Sequence, residues 1–115
     1  RSYTSVGKNC SVGSGVELKN CVVMDNSQIG RLSFVGDSVL GENVDMGAGC
    51  MTVNRTVDWK PISVKNGKRP METGMTKLGA FLGDGVVVGA GNTLQPGTVV
   101  APGKILPACY SVTQK

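Results

Sequence analysis

The sequence predicts an all-β domain folded as a parallel β-helix, a solenoid with three flat sides. One observation is the spacing of aliphatic residues, which return at intervals of 6, 6, 5, 6, 6, 5 and 6. Three steps close after 17 residues, so Val6, Val23 and Leu40 are expected to stack in one column of the core. A second observation is that the pattern resumes near the end of the chain with a strict period of six. The aliphatic positions are Val6, Val12, Leu18, Val23, Ile29, Val35, Leu40 and Met46, and then Leu82, Val88, Leu94, Val100, Leu106 and Val112.

The composition agrees with a narrow core. The chain has 115 residues, of which 40% are hydrophobic but only five are aromatic, so a single domain must be built on small aliphatic side chains. Its 17 glycines lack both the period of collagen and the Ser-rich surroundings of a linker. Pairs such as Val12-Gly13 and Ile29-Gly30 indicate that glycine supplies the backbone angles of sharp corners. The spacing differs from the helical period of about 3.6 residues, and a β-propeller requires a period of about 40 to 50.

A second set of positions is expected to point into the core, four residues after each aliphatic one, because strand side chains alternate in direction. In the first half these residues are all small or β-branched, so the interior holds nothing larger. Lys104 and Tyr110 break this rule, which predicts a distorted or capping final coil. The expected inward set is Cys10, Val16, Val22, Ser27, Ser33, Val39, Val44 and Cys50, followed by Val86, Asn92, Thr98, Lys104 and Tyr110.

One long inserted loop interrupts the repeat. The predicted division is coils over 1–52, an inserted loop over 53–77 and coils over 78–115, all in one domain. Insertions in solenoids lie on one face, often the binding face. A hairpin from Trp59 to Val64, turning at Asn66-Gly67, is expected within the loop. The alternative is a loop that only packs against a neighbouring subunit.

The net charge of +4 is modest, but half of the twelve basic residues lie in the inserted loop. Such a run is typical of a solvated loop, of a nucleic-acid surface or of a site for a phosphate-bearing small molecule. The repeat pattern favours the small molecule over nucleic acid. These residues are Arg55, Lys60, Lys65, Lys68, Arg69 and Lys77.

Several classes of protein are disfavoured by what the sequence lacks. No run approaches the roughly 20 apolar residues that cross a membrane, and the opening residues do not resemble a signal peptide, so a cytoplasmic protein is expected. The start at Arg1 suggests a fragment of a longer chain. The cysteines form no C-x-x-C pair and the chain has no His, so no metal is expected and the cysteines are interpreted as core or surface residues. They are Cys10, Cys21, Cys50 and Cys109.

The stretch from Arg31 to Asn54, RLSFVGDSVLGENVDMGAGCMTVN, resembles the acetyltransferase segment of bifunctional sugar-1-phosphate nucleotidylyltransferases that also acetylate glucosamine-1-phosphate. The opening YTSVG and the later KLGAFLGDGVVVGAG are similar to the archaeal type of that family. The resemblance implies a single-stranded left-handed parallel β-helix of hexapeptide repeats, a class that departs from the right-handed rule for parallel crossovers. It also implies a homotrimer with sites at its interfaces. The nucleotidyltransferase half of the family is expected to be absent from these residues.

The resemblance further implies a reaction in which the amine of an amino sugar 1-phosphate attacks the thioester of acetyl-coenzyme A. This chemistry requires an unprotonated amine, a grip on the phosphate and donors to the developing oxyanion. The family uses a His as general base, within a His-x-x-Tyr motif. Those positions are Arg31 and Phe34 here, and loss of a general base typically costs about a hundred- to ten-thousand-fold in rate.

Other family positions are retained. Asn54 matches an Asn near the substrate, while Asp45 replaces a second Asn and is the acidic residue of the motif that could take over as base. Either Lys60 or Lys77 matches the Lys that holds the sugar phosphate, and Arg31 could grip a phosphate through two hydrogen bonds. The positions expected to lie against coenzyme A are Ala48, Ala90 and Ala108.

Two hypotheses of different classes follow. The first is an acetyltransferase domain that uses acetyl-coenzyme A and an amino sugar 1-phosphate, with activity impaired by the changes at Arg31 and Phe34. The second is a non-catalytic module that trimerises or regulates a sugar-phosphate nucleotidyltransferase. Binding of an anionic polymer by the basic loop is a weaker third reading.

Overall fold

The computed structural model describes residues 1–66, 69–108 and 111–112, and within them the chain forms three parallel five-stranded sheets and one hairpin. No helix able to span a membrane is found in these residues. The first sheet contains Ser5–Val6 (β1), Val22–Val23 (β4), Val39–Leu40 (β7), Phe81–Leu82 (β12) and Val99–Val100 (β15). The second contains Ser11–Val12 (β2), Gln28–Ile29 (β5), Asp45–Met46 (β8), Val87–Val88 (β13) and Ile105–Leu106 (β16). The third contains Glu17–Lys19 (β3), Phe34–Gly36 (β6), Met51–Thr52 (β9), Thr93–Leu94 (β14) and Ser111–Val112 (β17).

The predicted column of aliphatic residues is confirmed. Val6 pairs in register with Val23, and Val23 pairs with Leu40. The column continues across the insertion, because Leu40 pairs with Leu82 and Leu82 with Val100. Successive coils therefore place one aliphatic side chain above another in the core. The neighbours above and below shield each buried side chain from water.

The predicted inward set is wrong at two positions of the first sheet and at Lys104. Val22 is 40% exposed and Val39 is only half-buried, whereas Cys21 and Ser38 are each 2% exposed. The physical reason is the five-residue step that precedes the first sheet. A corner shortened by one residue moves the inward position from the fourth to the third residue after the aliphatic one. Lys104 is exposed, and Tyr110 lies outside the described residues.

Small polar side chains in the interior join the coils. Ser27 donates to the carbonyl of Gly41 at 2.9 Å and accepts the N–H of Val44 at 3.1 Å. Asn92 is fully buried and donates to the carbonyls of Gly89 and Pro107, both at 2.7 Å. Buried corner carbonyls are costly without a partner, so these side chains let the tight corners stay inside the solenoid.

The glycines that follow aliphatic residues have a different role from the predicted one. Positive backbone φ angles at the corners of the first three coils belong mainly to other residues, such as Asn26 (φ 62) and Asp37 (φ 51). Gly30 instead lies against the next coil, where a Cβ would come within 2.5 Å of the backbone nitrogen of Ala48. Glycine is needed at such positions because two coils approach too closely for a side chain.

The insertion leaves and rejoins the solenoid at one corner. The repeat strands end at Thr52 and resume at Phe81, and Leu78 N donates to the carbonyl of Asn54 at 2.8 Å. The predicted hairpin is present as Ser63–Asn66 (β10) and Arg69–Glu72 (β11), paired antiparallel. The hairpin begins at Ser63 rather than at the predicted Trp59. Gly67 of the expected turn and the following Lys68 lie outside the described residues.

Candidate functional site

The corner between the second and third sheets brings together four of the residues selected from the sequence. Gly49 N donates to the carbonyl of Arg31 at 2.9 Å, and Gly91 N donates to the carbonyl of Ala48 at 2.9 Å, so coils stack residue on residue here. The backbone of Ala108 lies against Gly89 in the same way. We call this column, formed by Arg31, Ala48, Ala90 and Ala108, the alanine edge.

A groove of about 460 Å³ runs beside the alanine edge on the second sheet, and both Arg31 and Asp45 line it. Asp45 is exposed and lies between Gln28 and Val87 of the neighbouring strands. Among the described residues, neither Arg31 nor Asp45 forms an ion pair. Both charges therefore remain available to a ligand in this groove.

Asn54 lies at the opposite edge of the third sheet. This residue lines a depression of about 340 Å³, together with Phe34, Met51, Arg55 and Val57. We call this the Asn54 depression. Phe34 lies on the sheet between the two edges, and its ring packs over Gly36, where a Cβ would come within 2.6 Å of the ring. One face of the solenoid thus carries Arg31 along one border and Asn54 along the other.

A buried carboxylate holds Asn54 in place. Asn54 Nδ2 donates to Asp37 Oδ2 at 2.8 Å, and Asn20 Nδ2 donates to Asp37 Oδ1 at 2.8 Å. Lys19 Nζ lies 3.3 Å from Asp37 Oδ2, whose side chain is only 6% exposed. Burial raises the pKa of Asp37, but the hydrogen bonds from Asn20, Asn54 and Lys19 and the charge of Lys19 outweigh it, so the pKa lies below its ordinary value.

The sequence reasoning missed this network, although a signal for it was present. Asn20, Asp37 and Asn54 are separated by 17 residues each, the length of one coil, which places them at the same corner. A second depression of about 340 Å³ lies on the other side of the network and is lined by Arg1, Ser2, Tyr3, Lys19 and Asn20. Of the two cations in this depression, Lys19 is paired with Asp37 and Arg1 is paired with Glu17, whose carboxylate oxygen lies 2.7 Å from the guanidinium.

The two lysines of the insertion differ in their surroundings. Lys60 is exposed and its Nζ lies 3.7 Å from a carboxylate oxygen of Asp58. Lys77 lies 5.7 Å from the ring centre of Trp59, and the guanidinium of Arg55 lies 4.3 Å from the same ring. Cation–π contacts of this kind order long side chains, so Lys77 and Arg55 are held at the base of the insertion. Arg55 follows Asn54 in the chain, and Lys77 precedes Leu78, whose N–H bonds to the carbonyl of Asn54.

The cysteines offer no activated nucleophile in the described part of the chain. Cys21 and Cys50 are buried and Cys10 is half-buried, while Cys109 lies outside the described residues. Burial raises the pKa of both Cys21 and Cys50. Their thiols therefore stay protonated near neutral pH, as expected of core residues.

The architecture is shared with a solved N-acyltransferase. The solved structure of AntD, an N-acyltransferase from Bacillus cereus in complex with dTDP-4-amino-4,6-dideoxyglucose and coenzyme A, superposes with a TM-score of 0.59 at 15% identity. The match covers 96% of this chain and 73% of that structure. The fold class predicted from the sequence, a left-handed parallel β-helix of hexapeptide repeats, is confirmed.

The family is shown by the sequence as well. Residues 1–107 match the family model described as the GMPPB C-terminal domain, and the chain belongs to that family. A bifunctional sugar-1-phosphate nucleotidylyltransferase/acetyltransferase from Sulfurisphaera tokodaii is 39% identical over 100 residues, which is 87% of this chain and 25% of the relative. The bifunctional protein GlmU of Methanocaldococcus jannaschii is 38% identical over 100 residues, 87% of this chain and 24% of its own length. The predicted resemblance is confirmed, and the chain spans about a quarter of these curated relatives.

Proposed function

We propose that this chain is the acetyltransferase-type domain of a sugar-phosphate enzyme, which transfers the acetyl group of acetyl-coenzyme A to the amine of an amino sugar 1-phosphate. The observation that carries the proposal is the pairing of two edges on one face. The alanine edge presents the half-buried Ala48 and the exposed Ala90 and Ala108 to a long ligand, and Asn54 lies at the other border of the same sheet. The named activity of the relative from Sulfurisphaera tokodaii supports the same assignment.

Each ligand has a matching surface. The alanine edge presents small side chains, so the pantetheine arm of the coenzyme can lie against exposed backbone at Ala48, Ala90 and Ala108. The sugar phosphate requires cations near Asn54, and Lys77 is better placed than Lys60, which faces Asp58. Lys19 is discounted for the same reason as Lys60, since its Nζ lies 3.3 Å from a carboxylate oxygen of Asp37. A phosphate dianion gains from each positive charge that can approach it.

The reaction forms one bond and breaks one bond. The amine nitrogen, after losing a proton to solvent, attacks the thioester carbon and the carbon–sulfur bond breaks. The second amine proton is lost and the departing thiolate is protonated, so the products are the amide and free coenzyme A. Arg31 cannot act as the base because its guanidinium stays protonated. Asp45 lies in the Arg31 groove on the second sheet, away from the Asn54 depression, so we assign it to removal of the second amine proton in a site shared between neighbouring copies.

We also propose a homotrimer in which the sites lie between neighbouring copies. The outward column of the first sheet is apolar over four consecutive strands, and two of its members line an apolar groove with Val64 and Met71 of the hairpin. Contiguous exposed apolar patches of this kind mark association sites. The column consists of Val22, Val39, Phe81 and Val99. A cyclic trimer would bury this column.

One observation favours a second candidate, a non-catalytic module that trimerises or regulates a sugar-phosphate nucleotidyltransferase. Arg31 and Phe34 occupy the two positions where the family is expected to carry its His and Tyr. With neither an imidazole nor a phenol at this face, the chain could retain the fold and the assembly while losing the chemistry.

The two candidates are separated by binding and turnover. Coenzyme A binding is measured by calorimetry, and acetyl transfer is measured with glucosamine-1-phosphate and galactosamine-1-phosphate. Binding together with turnover supports the acetyltransferase. The absence of both binding and turnover supports the module. The double variant Arg31→His with Phe34→Tyr should raise turnover about a hundredfold or more if only the base is missing. A folded double variant without activity would show that the lost-base explanation is wrong.

A further inference from the structure

We infer that Asp37 is a positioning residue, which fixes the side-chain amide of Asn54 so that the carbonyl oxygen of that amide faces the Asn54 depression. This inference rests on the proposed function and deepens it, because it names the residue that orients the polar group offered to the substrate. Neither the sequence pattern nor the resemblance assigns a role to Asp37.

The hydrogen bonds set the orientation of the amide. An ionised carboxylate has acceptors and no donor, so only the NH₂ side of Asn54 can face Asp37, and the two groups meet at 2.8 Å. The nitrogen and oxygen of an amide diverge from one carbon atom. Because the nitrogen is hydrogen-bonded to Asp37, the oxygen is turned toward the depression that Asn54 lines. Among the described residues, this oxygen has no hydrogen-bond donor.

Asp37 is itself anchored from both its side chain and its backbone. Its backbone N donates to the carbonyl of Lys19 at 2.9 Å, and its own carbonyl accepts the N–H of Gly79 at 2.8 Å. The carboxylate also receives the side chains of Asn20 and Lys19. The Asp37 side chain cannot rotate without breaking several hydrogen bonds at once. A carboxylate held this rigidly keeps the side chain of Asn54 in one geometry.

The acidic residues at the corner between the first and second sheets lack this arrangement. Asp25 accepts the backbone N–H of Lys8 at 2.8 Å, and Asp84 accepts the backbone N–H of Glu42 at 2.8 Å. Both are more exposed than Asp37, and their bonds stabilise a turn. These two carboxylates only stabilise a turn, whereas Asp37 binds side chains from the coils on both sides of it.

The consequence is a site that presents an acceptor. The Asn54 carbonyl can accept one N–H of the sugar amine, which directs the amine lone pair to one side for attack. A freely rotating amide would offer its NH₂ group for part of the time and would repel the same N–H. Orientation of reacting groups contributes a large part of catalysis, and small displacements lower rates by as much as about a hundredfold.

The test compares the isosteric variant Asp37→Asn with the matched control Asp25→Asn, which removes a carboxylate from another corner of the same coil. We expect Asp37→Asn to lower kcat about 10- to 100-fold with little change in KM, while Asp25→Asn stays near wild type. The double variant Asp37→Asn with Asn54→Ala should be no slower than Asn54→Ala alone, because Asp37 acts through Asn54. A further loss in the double variant, or an unchanged kcat in Asp37→Asn, would overturn the inference.

A second readout requires neither turnover nor a variant. In the wild type, NMR should show side-chain amide hydrogens of Asn54 that exchange at least about tenfold more slowly than those of the exposed Asn26, since a buried carboxylate accepts one of them. Equal exchange rates would refute the positioning role, even if Asp37→Asn fails to fold. A wild type that shows slow exchange but no acetyl transfer would support the positioning role and refute the proposed function, so the two failures are distinguishable.

Discussion

The aliphatic column of the first sheet joins the coils before and after the inserted loop, and its tight packing can be tested by Leu40→Ala. Leu40 is fully buried, and its neighbours above and below are Val23 and Leu82, which belong to coils on either side of it. The substitution removes three carbon atoms, worth about 2.4 kcal/mol at about 0.8 kcal/mol for each buried methylene. A remaining cavity adds to this cost, and Leu→Ala changes in rigid cores reach about 5 kcal/mol.

Collapse around the cavity is restricted in this fold. Backbone hydrogen bonds on both sides hold the coil, with Met24 N donating to the carbonyl of Leu40 at 3.0 Å and Gly41 N donating to the carbonyl of Leu82 at 2.8 Å. We therefore expect the upper half of the range, a loss of about 3 to 5 kcal/mol in the free energy of unfolding.

The assay is urea unfolding followed by circular dichroism, at one fixed protein concentration because self-association would shift the midpoint. The matched control is Val87→Ala, a change of an outward-facing, partly exposed side chain on a central strand. It should cost less than about 1 kcal/mol. A loss below about 1 kcal/mol for Leu40→Ala would refute the tight column, and equal losses in both variants would refute the assignment of inside and outside.

Three further predictions concern the corner and the thiols. Gly79→Ala should destabilise the fold by more than about 1 kcal/mol in thermal unfolding, because a Cβ would overlap the Ser38 hydroxyl and the Gly36 carbonyl; an unchanged transition would contradict this close approach. The pKa of Asp37 is lowered in the folded state, so its contribution to stability is present above the ordinary Asp pKa and is lost as pH falls through the lowered value. Asp37→Asn should therefore flatten the decline of stability between about pH 5 and about pH 3, and a curve parallel to wild type would exclude the effect. Buried and protonated, the thiols of Cys21 and Cys50 should react with iodoacetamide at least about a hundredfold more slowly in the folded than in the urea-unfolded protein, measured by peptide mass spectrometry; rapid labelling of the folded protein would contradict their burial.

Much of the candidate site could be located from the sequence but not assembled from it. Arg31, Ala48 and Ala90 came from a resemblance, and their spacing alone did not show that they share one edge with Ala108, since 42 residues separate Ala48 from Ala90. The structure joins them because the insertion leaves and returns at a single corner. The repeat on its two sides consequently stays in register.

Asp37 shows the opposite case, in which a site residue carries no local signal. An Asp at a corner is typical of a turn, and Gly precedes Asp84 just as it precedes Asp37. Its role depends on Asn20 and Asn54, which meet it only after the chain has completed a coil on each side. Long-range side-chain networks are invisible to local pattern reading unless the coil length is already known.

The amino-acid sequence by itself determined the solenoid, its three faces and its columns, because burial of a narrow aliphatic core requires the apolar residues to return with the period of the coil. Only the tertiary structure decided which side chains face inward at the short corners, which glycines lie against a neighbouring coil, and which donors surround Asp37. Those features depend on distances between residues of different coils. Steric exclusion and hydrogen bonding act over a few ångströms in space, whatever the separation along the chain.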